Sequence, residues 1–255
     1  MTTIKSALSS IPNPFVPVSG LYLVATPIGN KRDMSLRALD VLNAADVVAC
    51  EDTRVTGSLL KSYDIHVPQL MRCDAHAELK QSDKIIDLLN EQKVVALCSD
   101  AGSPIVSDPG HHLVKAVREA GHLVTTIPGA CSVISALQLS GLPSHPFTFI
   151  GFVPQKGRTS FFKTWVDVPT TLICFERHSR LQKTLDSLRE LMGDAREIIL
   201  TRELTKLYEE VLPMDITAPD VKGECVIVIA PPKDKPELSR NEKYALKLKA
   251  KKNAK

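Results

Sequence analysis

The sequence lacks the features that mark membrane-spanning, secreted and disulfide-bonded proteins. It has no apolar run near the roughly 20 residues that a membrane-spanning helix needs. The N-terminus shows no charged start, apolar core and small-residue cleavage site. The six cysteines form no Cys-x-x-Cys pair, and several lie in or at the end of apolar runs. We therefore expect a cytoplasmic protein with reduced, buried thiols and no metal site.

Excess charge of one sign is also missing from most of the chain. The 255 residues carry a net charge of +3, with 44% hydrophobic and 24% charged residues, as in globular proteins. Nine Lys or Arg and three acids follow residue 232, so the preceding part has a net charge of −3. Residues 233–255 are thus expected to form a basic tail, which either contacts nucleic-acid phosphates or is a solvated end. Residues 1–19 are predicted to be a loose N-terminal arm.

Short β-branched runs alternate with stretches of helical spacing, which predicts an α/β fold. Strands are expected at 20–26, 46–50, 69–73, 94–98 and 122–127, with helices at 36–44, 55–63, 74–90, 111–120 and 133–139. The Gly-Leu-Pro-Ser-His-Pro segment at 141–146 is the best domain boundary. Strands at 147–153, 170–175, 197–201 and 224–229 follow it, with helices at 157–165 and 181–191. We expect two α/β domains, at 20–143 and 144–232.

The loop at residues 99–110, Ser-Asp-Ala-Gly-Ser-Pro-Ile-Val-Ser-Asp-Pro-Gly, is the centre of the predicted site. It connects a buried strand to a helix, and such loops lie where open α/β sheets usually bind ligands. Its two glycines permit close backbone approach, its two prolines fix φ, and its three serines supply hydroxyls. The alternative is a long connection with an Asx-type cap at Asp108.

Two further loops share this small-residue character, Pro27-Ile-Gly-Asn30 and Pro128-Gly-Ala-Cys-Ser132. Because both also follow strands of the same predicted sheet, we expect the three loops to share one pocket. No loop has the Gly-x-Gly-x-x-Gly fingerprint of dinucleotide-binding domains.

Charged residues follow three other strands, in the segments 51–54, 176–180 and 202–206. The first, Glu51-Asp-Thr-Arg54, looks like a site, although a helix cap would explain Asp52 or Thr53 alone. The other two are candidates for a site or, alternatively, for surface ion pairs on loops.

These motifs together closely resemble the ribosomal RNA small subunit methyltransferase I family of the tetrapyrrole methylase superfamily. The matching segments are 26–30, 51–54, 99–110, 127–129, 140–143, Phe175-Glu176 with Arg180, and 202–206, in order along residues 20–228. The resemblance implies two α/β domains of the class III methyltransferase type with S-adenosylmethionine in the cleft between them. It also implies a homodimer that methylates a ribose 2′-hydroxyl of a decoding-centre cytidine in small-subunit RNA.

The resemblance further implies the site residues. Expected cofactor contacts are Pro27, Asp100, Ala101, Gly102, Ser103, Ile105, Ser107, Pro128, Gly129, Ala130 and Leu142, with Phe175, Glu203, Leu204 and the last strand from the second domain. Methyl transfer to a neutral hydroxyl needs alignment and a base. Candidates for the base, or for orienting the ribose, are Glu51, Asp52, Glu203 and Lys206, the lysine only if its pKa is lowered. Candidates for binding RNA phosphates are Arg54, Arg177, Arg180 and Arg202.

Two rival functions remain open at this point. The first is a tetrapyrrole or other small-molecule methyltransferase of the same fold, which would need a broad apolar trough between the domains. The second is a non-catalytic RNA-binding assembly factor that keeps the fold without its chemistry.

Overall fold

The computed structural model describes residues 14–74, 78–213 and 222–233. Most of the expected N-terminal arm, residues 1–13, and nearly all of the expected basic tail, residues 234–255, lie outside the described residues. None of the helices in the described ranges has both the length and the apolar character that crossing a bilayer requires.

The first half of the chain builds a five-stranded, entirely parallel sheet with the strand order β3-β2-β4-β1-β5. Its strands are β1 (Gly20–Val24), β2 (Val47–Cys50), β3 (Gln69–Arg72), β4 (Val94–Cys98) and β5 (Val124–Ile127). Alternating residues of β1, β2 and β4 enter two different apolar clusters, one on each face of the sheet. This arrangement explains the continuous β-branched runs, since a parallel sheet covered by helices is buried on both sides.

Helices cover both faces of this sheet. They are α1 (Leu36–Ala44), α2 (Thr53–Ser62), α3 (Glu78–Asn90) and α4 (His111–Glu119). Ser35 caps α1, because its hydroxyl accepts the Ala38 N–H at 3.2 Å. Asp52 caps α2 by accepting the Arg54 N–H at 2.8 Å. The cap function considered for Asp52 from the sequence is therefore real.

The second half builds a mixed five-stranded sheet with the order β6-β7-β10-β8-β9. Its strands are β6 (Phe147–Phe152), β7 (Thr171–Arg177), β8 (Ile198–Arg202), β9 (Glu210–Pro213) and β10 (Glu224–Ile229). Only the β6–β7 pair is parallel. Helices α6 (Arg158–Lys163) and α7 (His178–Met192) pack on one face.

Helix α5 (Ser132–Ser140) joins the two halves. It follows the last strand of the first sheet, and its buried residues Val133, Ala136 and Leu137 pack against the open face of the second sheet. Ile28 and Leu204 complete this cluster from the loops after β1 and β8. The apolar contact holds the carboxyl edge of the first sheet against the second sheet, which creates a cleft between them.

The α/β class is confirmed, and the strands and helices expected from the sequence are all present. Their bounds shift by a few residues at most where the structure describes both ends. Strand β9 was not predicted, because its Glu-Val-Leu-Pro sequence is short and contains a proline. The sheets change between β5 and β6, which is compatible with the expected boundary near residue 143; the domain limits themselves stay a prediction.

Candidate functional site

A cavity of about 760 Å³ lies in the cleft between the two sheets. The first sheet contributes the loop after β4, the start of α5 and Ile28 from the loop after β1. The second contributes the ends of β6, β7 and β10 and the loop after β8. The site is therefore assembled from segments that are distant in sequence, at the position where open α/β sheets usually bind ligands.

Direct contacts unite the three small-residue loops of the first sheet into one rim. Thr26 and Gly102 exchange both backbone hydrogen bonds, at 2.9 and 3.1 Å. The Ser103 hydroxyl donates to the carbonyl of Ala130 at 3.4 Å. A Cβ placed on Gly129 would lie 3.0 Å from Cβ of Ala25, so only glycine fits comfortably there. The predicted convergence of the three loops is confirmed.

The loop at 99–110 adopts an unusual backbone. Ile105 and Ser107 have φ values of 75° and 76°, in the left-handed region that β-branched residues avoid. The partly buried Ile105 side chain packs against the core of the first sheet, while Ser107 lines the cavity. Strain of this kind persists where the surroundings enforce it, and it is common at ligand sites.

Carboxyl groups gather where this loop meets the end of β2. The backbone N–H of Asp52 donates to Oδ1 of Asp100 at 3.2 Å. Burial raises the pKa of Glu51, and the nearby charges of Asp100, Asp74 and Asp52 raise it further. Hydrogen bonds from Arg54 hold the pKa of the Asp52 carboxyl well below its ordinary value. Glu51 therefore takes up a proton more readily than Asp52 does.

Asp108 belongs to the same acidic group and lines the cavity. Burial, followed by the charges of Glu51 and Asp100, raises the pKa of Asp108 to about 6, although a hydrogen bond with Ser99 opposes the shift. From the sequence, Asp108 was considered only as a cap. Its proximity to Glu51 depends on strand order, which a single sequence does not show.

On the opposite wall, Lys206 joins two carboxylates of the second half. Its Nζ donates to Oε1 of Glu203 and to Oε2 of Glu224, both at 3.0 Å. Burial would lower the pKa of Lys206, but these two hydrogen bonds outweigh it, so the pKa is raised. The condition under which Lys206 could act as a base is therefore not met, and it is a cation in this site.

Glu203 is held in place from several directions. Burial would raise its pKa, but the Glu224 N–H at 2.9 Å and the Lys206 ammonium outweigh burial and lower it. A Cβ on Gly223 would lie 2.7 Å from Cγ of Glu203. Glu203 itself has a φ of 51°, again in the left-handed region. Glycine at 223 thus makes room for a fixed carboxylate.

A buried carboxylate anchors the third wall. The Glu176 side chain has no exposed surface and forms an ion pair with Nη2 of Arg180 at 2.6 Å. It also accepts hydrogen bonds from the Arg177 N–H at 2.7 Å and the Thr184 hydroxyl at 2.6 Å. These bonds fix the turn from β7 into α7. The residues that line the cavity there are therefore held on a rigid support.

The four candidate RNA-binding arginines have different surroundings. Arg54 is highly exposed and paired with Asp52 at 2.6 Å, and Arg177 lines the cavity. Arg180 is bonded to Glu176 and the carbonyl of Val153. Arg202 is nearly buried and bonded to Glu210 and the carbonyl of Lys222. Arg54, Arg180 and Arg202 therefore all have intramolecular partners, and of these three only Arg54 is highly exposed.

More than half of the expected cofactor residues line the cavity, namely Asp100, Ala101, Gly102, Ser103, Ser107, Phe175, Glu203 and Leu204, and the last strand contributes Glu224, Cys225 and Val226. The remaining six do not line the cavity: Pro27, Ile105, Pro128, Gly129, Ala130 and Leu142. Among the catalytic candidates, Glu203 and Lys206 line the cavity, whereas Glu51 and Asp52 do not. Glu51 interacts with the lining residue Asp108, and the Asp52 N–H donates to the lining residue Asp100. The sequence did not identify Asp108, Phe152 and His178 as lining residues.

A family model and several named proteins match most of this chain. The model described as Tetrapyrrole (Corrin/Porphyrin) Methylases matches residues 20–220. The ribosomal RNA small subunit methyltransferase I of Rickettsia prowazekii (strain Madrid E) is 41% identical over 221 residues, which are 83% of this chain and 78% of that protein. The protein of the same name from Escherichia coli O157:H7 is 44% identical over 193 residues, 75% of this chain and 67% of that protein.

Solved structures share the fold at much lower identity. Uroporphyrin-III-C-methyltransferase from Thermus thermophilus superposes with a TM-score of 0.59 and 21% identity, covering 83% of this chain and 94% of that one. A conserved hypothetical protein from Aeropyrum pernix K1 gives a TM-score of 0.64 at 19% identity, covering 85% and 86%. At these identities the likeness concerns the fold alone.

Proposed function

Because the chain belongs to the family of tetrapyrrole (corrin/porphyrin) methylases, we propose that it transfers a methyl group from S-adenosylmethionine to small-subunit ribosomal RNA. The chain is a methyltransferase of the ribosomal RNA small subunit methyltransferase I family, and it spans at least two thirds of each relative named above. The proposed acceptor is a ribose 2′-hydroxyl of a cytidine in the decoding centre. We also propose that the protein acts as a homodimer in the cytoplasm.

One observation carries the proposal: rims from both halves of the chain line a single cavity of about 760 Å³. That volume is in the range of sites for small ligands and cofactors, roughly 300–1,000 Å³. Its walls combine apolar residues such as Ile28, Val133 and Leu204 with the carboxylates of Glu203 and Asp100. A donor with an adenine, a ribose, a sulfonium and an ammonium group needs both apolar surface and acidic partners. The residues present therefore fit S-adenosylmethionine.

The reaction, methyl transfer to a hydroxyl group, determines what the protein must contribute. S-Adenosylmethionine supplies an activated methyl group with a good leaving group, so the neutral hydroxyl is the weaker reactant. The protein must align the hydroxyl and accept its proton, and such a base is worth about 10²- to 10⁴-fold in rate. A carboxylate whose pKa is close to the working pH suits this role.

Asp108 meets this requirement better than the other acids of the site. It lines the cavity, and its pKa is raised to about 6. Asp52 is committed to Arg54, and Glu203 is committed to Lys206 and has a lowered pKa. Glu51 does not line the cavity, and its charge raises the pKa of Asp108. We therefore assign proton acceptance to Asp108, with Glu51 as the residue that tunes it.

The cationic groups have separate roles in the proposal. Lys206 holds Glu203 and Glu224 in position and keeps a positive charge on that wall. Arg177 at the cavity is available to RNA phosphates, which guanidinium groups bind well. The exposed Arg54 would bind a phosphate by exchanging its pairing with Asp52. Arg180 and Arg202 act through the framework, because their guanidinium groups are bonded to Glu176 and Glu210.

Mass analysis of small-subunit ribosomal RNA from cells that lack this gene tests the proposal against both rivals. We expect the loss of one ribose methyl group and its return with the wild-type gene. An unchanged RNA together with altered tetrapyrroles would favour the small-molecule rival. An unchanged RNA with defective subunit assembly would favour the non-catalytic rival.

A further inference from the structure

Strand β6 ends in a phenylalanine that does not enter the core. Phe152 is 54% exposed and lines the cavity. Its ring stands edge-to-face with Phe175 at a centroid distance of 5.1 Å, and Phe175 in turn contacts Phe149 at 4.9 Å. Phe152 is thus the solvent-facing end of a row of three aromatic rings.

A strand irregularity puts Phe152 in this position. In a regular strand, residues 149 and 152 would point to opposite faces, because side chains alternate. Here Phe149 pairs with Ile173 and Phe152 pairs with Phe175. Strand β6 therefore contains one more residue than β7 between these two pairs. Gly151, with a φ of 73°, lies within the irregularity. Bulges of this kind re-aim side chains beside active sites.

The surroundings of Phe152 suit a nucleotide. Arg177, the last residue of β7, and His178, the first residue of α7, line the same cavity. The Arg177 N–H donates to the buried Glu176 carboxylate. The ring of Phe152 is held by Phe175 yet is more than half exposed. An exposed ring held in place beside a guanidinium group is the arrangement on which proteins stack the bases of single-stranded nucleic acids.

We propose that Phe152 is the platform on which the base of the target nucleotide stacks when its ribose enters the cavity. This inference rests on the proposed function. A ribose within a continuous helical stack cannot reach a donor inside a cleft, so the target nucleotide must leave its neighbours. Stacking on Phe152 replaces the contacts that the base loses and orients its sugar.

Four variants of one position separate stacking from simple burial. Phe152→Ala removes the ring, Phe152→Leu keeps apolar bulk, and Phe152→Tyr and Phe152→Trp keep an aromatic face. Phe147→Ala is the matched control, because Phe147 is an exposed phenylalanine at the other end of β6 and does not line the cavity. The measurements are kcat and KM for small subunits that lack the methyl group, S-adenosylmethionine affinity by calorimetry, and the unfolding temperature.

We expect Phe152→Ala and Phe152→Leu to lose about ten- to a hundredfold in kcat/KM for small subunits, since stacking on one aromatic ring is worth about this much. Phe152→Tyr, Phe152→Trp and Phe147→Ala should stay within about threefold of wild type. Donor affinity should be unchanged in every variant.

Full activity of Phe152→Leu would overturn the inference, because bulk without a ring would suffice. An equal loss of donor affinity would also overturn it, by assigning the ring to the adenine of the donor. If wild-type protein does not methylate small subunits at all, the proposed function fails and this inference falls with it. If wild type is active and Phe152→Ala is too, only the inference fails.

Discussion

A Cβ placed on Gly29 would lie 2.5 Å from Cγ of Lys206, so the loops after β1 and β8 touch with no space for a side chain between them. The same Cβ would be 3.0 Å from Oγ1 of Thr205, which accepts the Asn30 N–H at 3.1 Å. The ammonium group of the same Lys206 forms ion pairs with Glu203 and Glu224 at the cavity wall. The width of the cleft is therefore set in part by the absence of a side chain at position 29.

Replacing Gly29 with alanine should disturb the donor site through this contact. We expect Gly29→Ala to weaken S-adenosylmethionine binding at least fivefold in calorimetry and to lower the free energy of unfolding by about 1–3 kcal/mol, as overpacking does. The reason is that Lys206 and the backbone at Leu204 must move to admit the methyl group.

Gly57→Ala is the control for that substitution. Gly57 lies within α2, and an added Cβ would make only an ordinary contact, 3.5 Å from Leu70. The change should stabilise the protein by about 0.5–1 kcal/mol through helix propensity and leave donor binding intact. Equal donor affinity in Gly29→Ala and wild type would show that the loop contact does not shape the site.

Asp108→Asn should remove activity and raise stability together. The folded-state pKa of Asp108, about 6, lies above its ordinary value of 3.8. Its contribution to stability is therefore fully present below pH 3.8 and is lost as the pH rises through 6, where the ionised form becomes a net cost. At pH 7.5 the variant should be more stable by about 1 kcal/mol, allowing for solvent screening. The gain should disappear towards pH 4.

The activity of the same variant gives an independent readout. We expect a loss of about 10²- to 10⁴-fold in the single-turnover methyl-transfer rate, and a wild-type rate that rises with pH through about 6 and then levels off. Asp83→Asn, at an exposed position of α3, is the control and should change neither property. A wild-type profile that is flat between pH 5 and 8 would rule out Asp108 as the proton acceptor.

Glu176→Gln should be among the most destabilising single-atom changes in the chain. It removes the counter-charge of Arg180 and one acceptor from a fully buried side chain, which costs about 3 kcal/mol when a buried ion pair loses one partner. Glu119→Gln makes the same chemical change in the exposed i,i+4 pair with Lys115 and should cost less than about 0.5 kcal/mol. Urea unfolding of both variants gives the comparison, and similar midpoints would contradict the anchoring role of Glu176.

Lys206→Ala and Glu203→Ala test whether this ion pair takes part in proton transfer. Because the pKa of Lys206 is raised and that of Glu203 is lowered, we expect both variants to bind the donor more weakly but to keep the wild-type pH profile at saturating donor. Single-turnover assays between pH 5 and 9 give that profile. A variant with a shifted or abolished pH dependence would assign the proton transfer to this pair.

The sequence predicts the frame of the site better than its chemistry. Strand-to-helix loops at 27–30, 99–110 and 128–132 could be placed at one edge of a sheet because the carboxyl ends of parallel strands coincide, and Thr26 with Gly102 confirms the convergence. Glu203 and Phe175 could be assigned to the opposite wall only through the family resemblance. Their contact with the first half depends on α5 packing across the second sheet.

Three features of the site could not be predicted from the sequence, namely the position of Asp108, the exposure of Phe152 and the burial of Glu176. The proximity of Asp108 to Glu51 follows from the β2–β4 pairing, and the exposure of Phe152 follows from an irregular register that no periodicity predicts. In the sequence, Glu176 is one charged residue in a polar segment. In the structure it is buried, with an ion pair to Arg180 and a hydrogen bond from Thr184, both residues of α7. Partners that are far apart in sequence decide the first two cases, and for Glu176 the deciding contacts come from α7, four and eight residues further along the chain.

The most direct test of the account is methyl transfer by the purified protein. Small ribosomal subunits from cells lacking this gene are incubated with S-adenosylmethionine carrying a labelled methyl group, and the RNA is then hydrolysed in alkali. We predict about one label per subunit, recovered in an alkali-resistant dinucleotide, because a 2′-O-methyl group protects the adjoining phosphodiester bond. Label confined to a base, or no label in RNA from any subunit preparation, would contradict it.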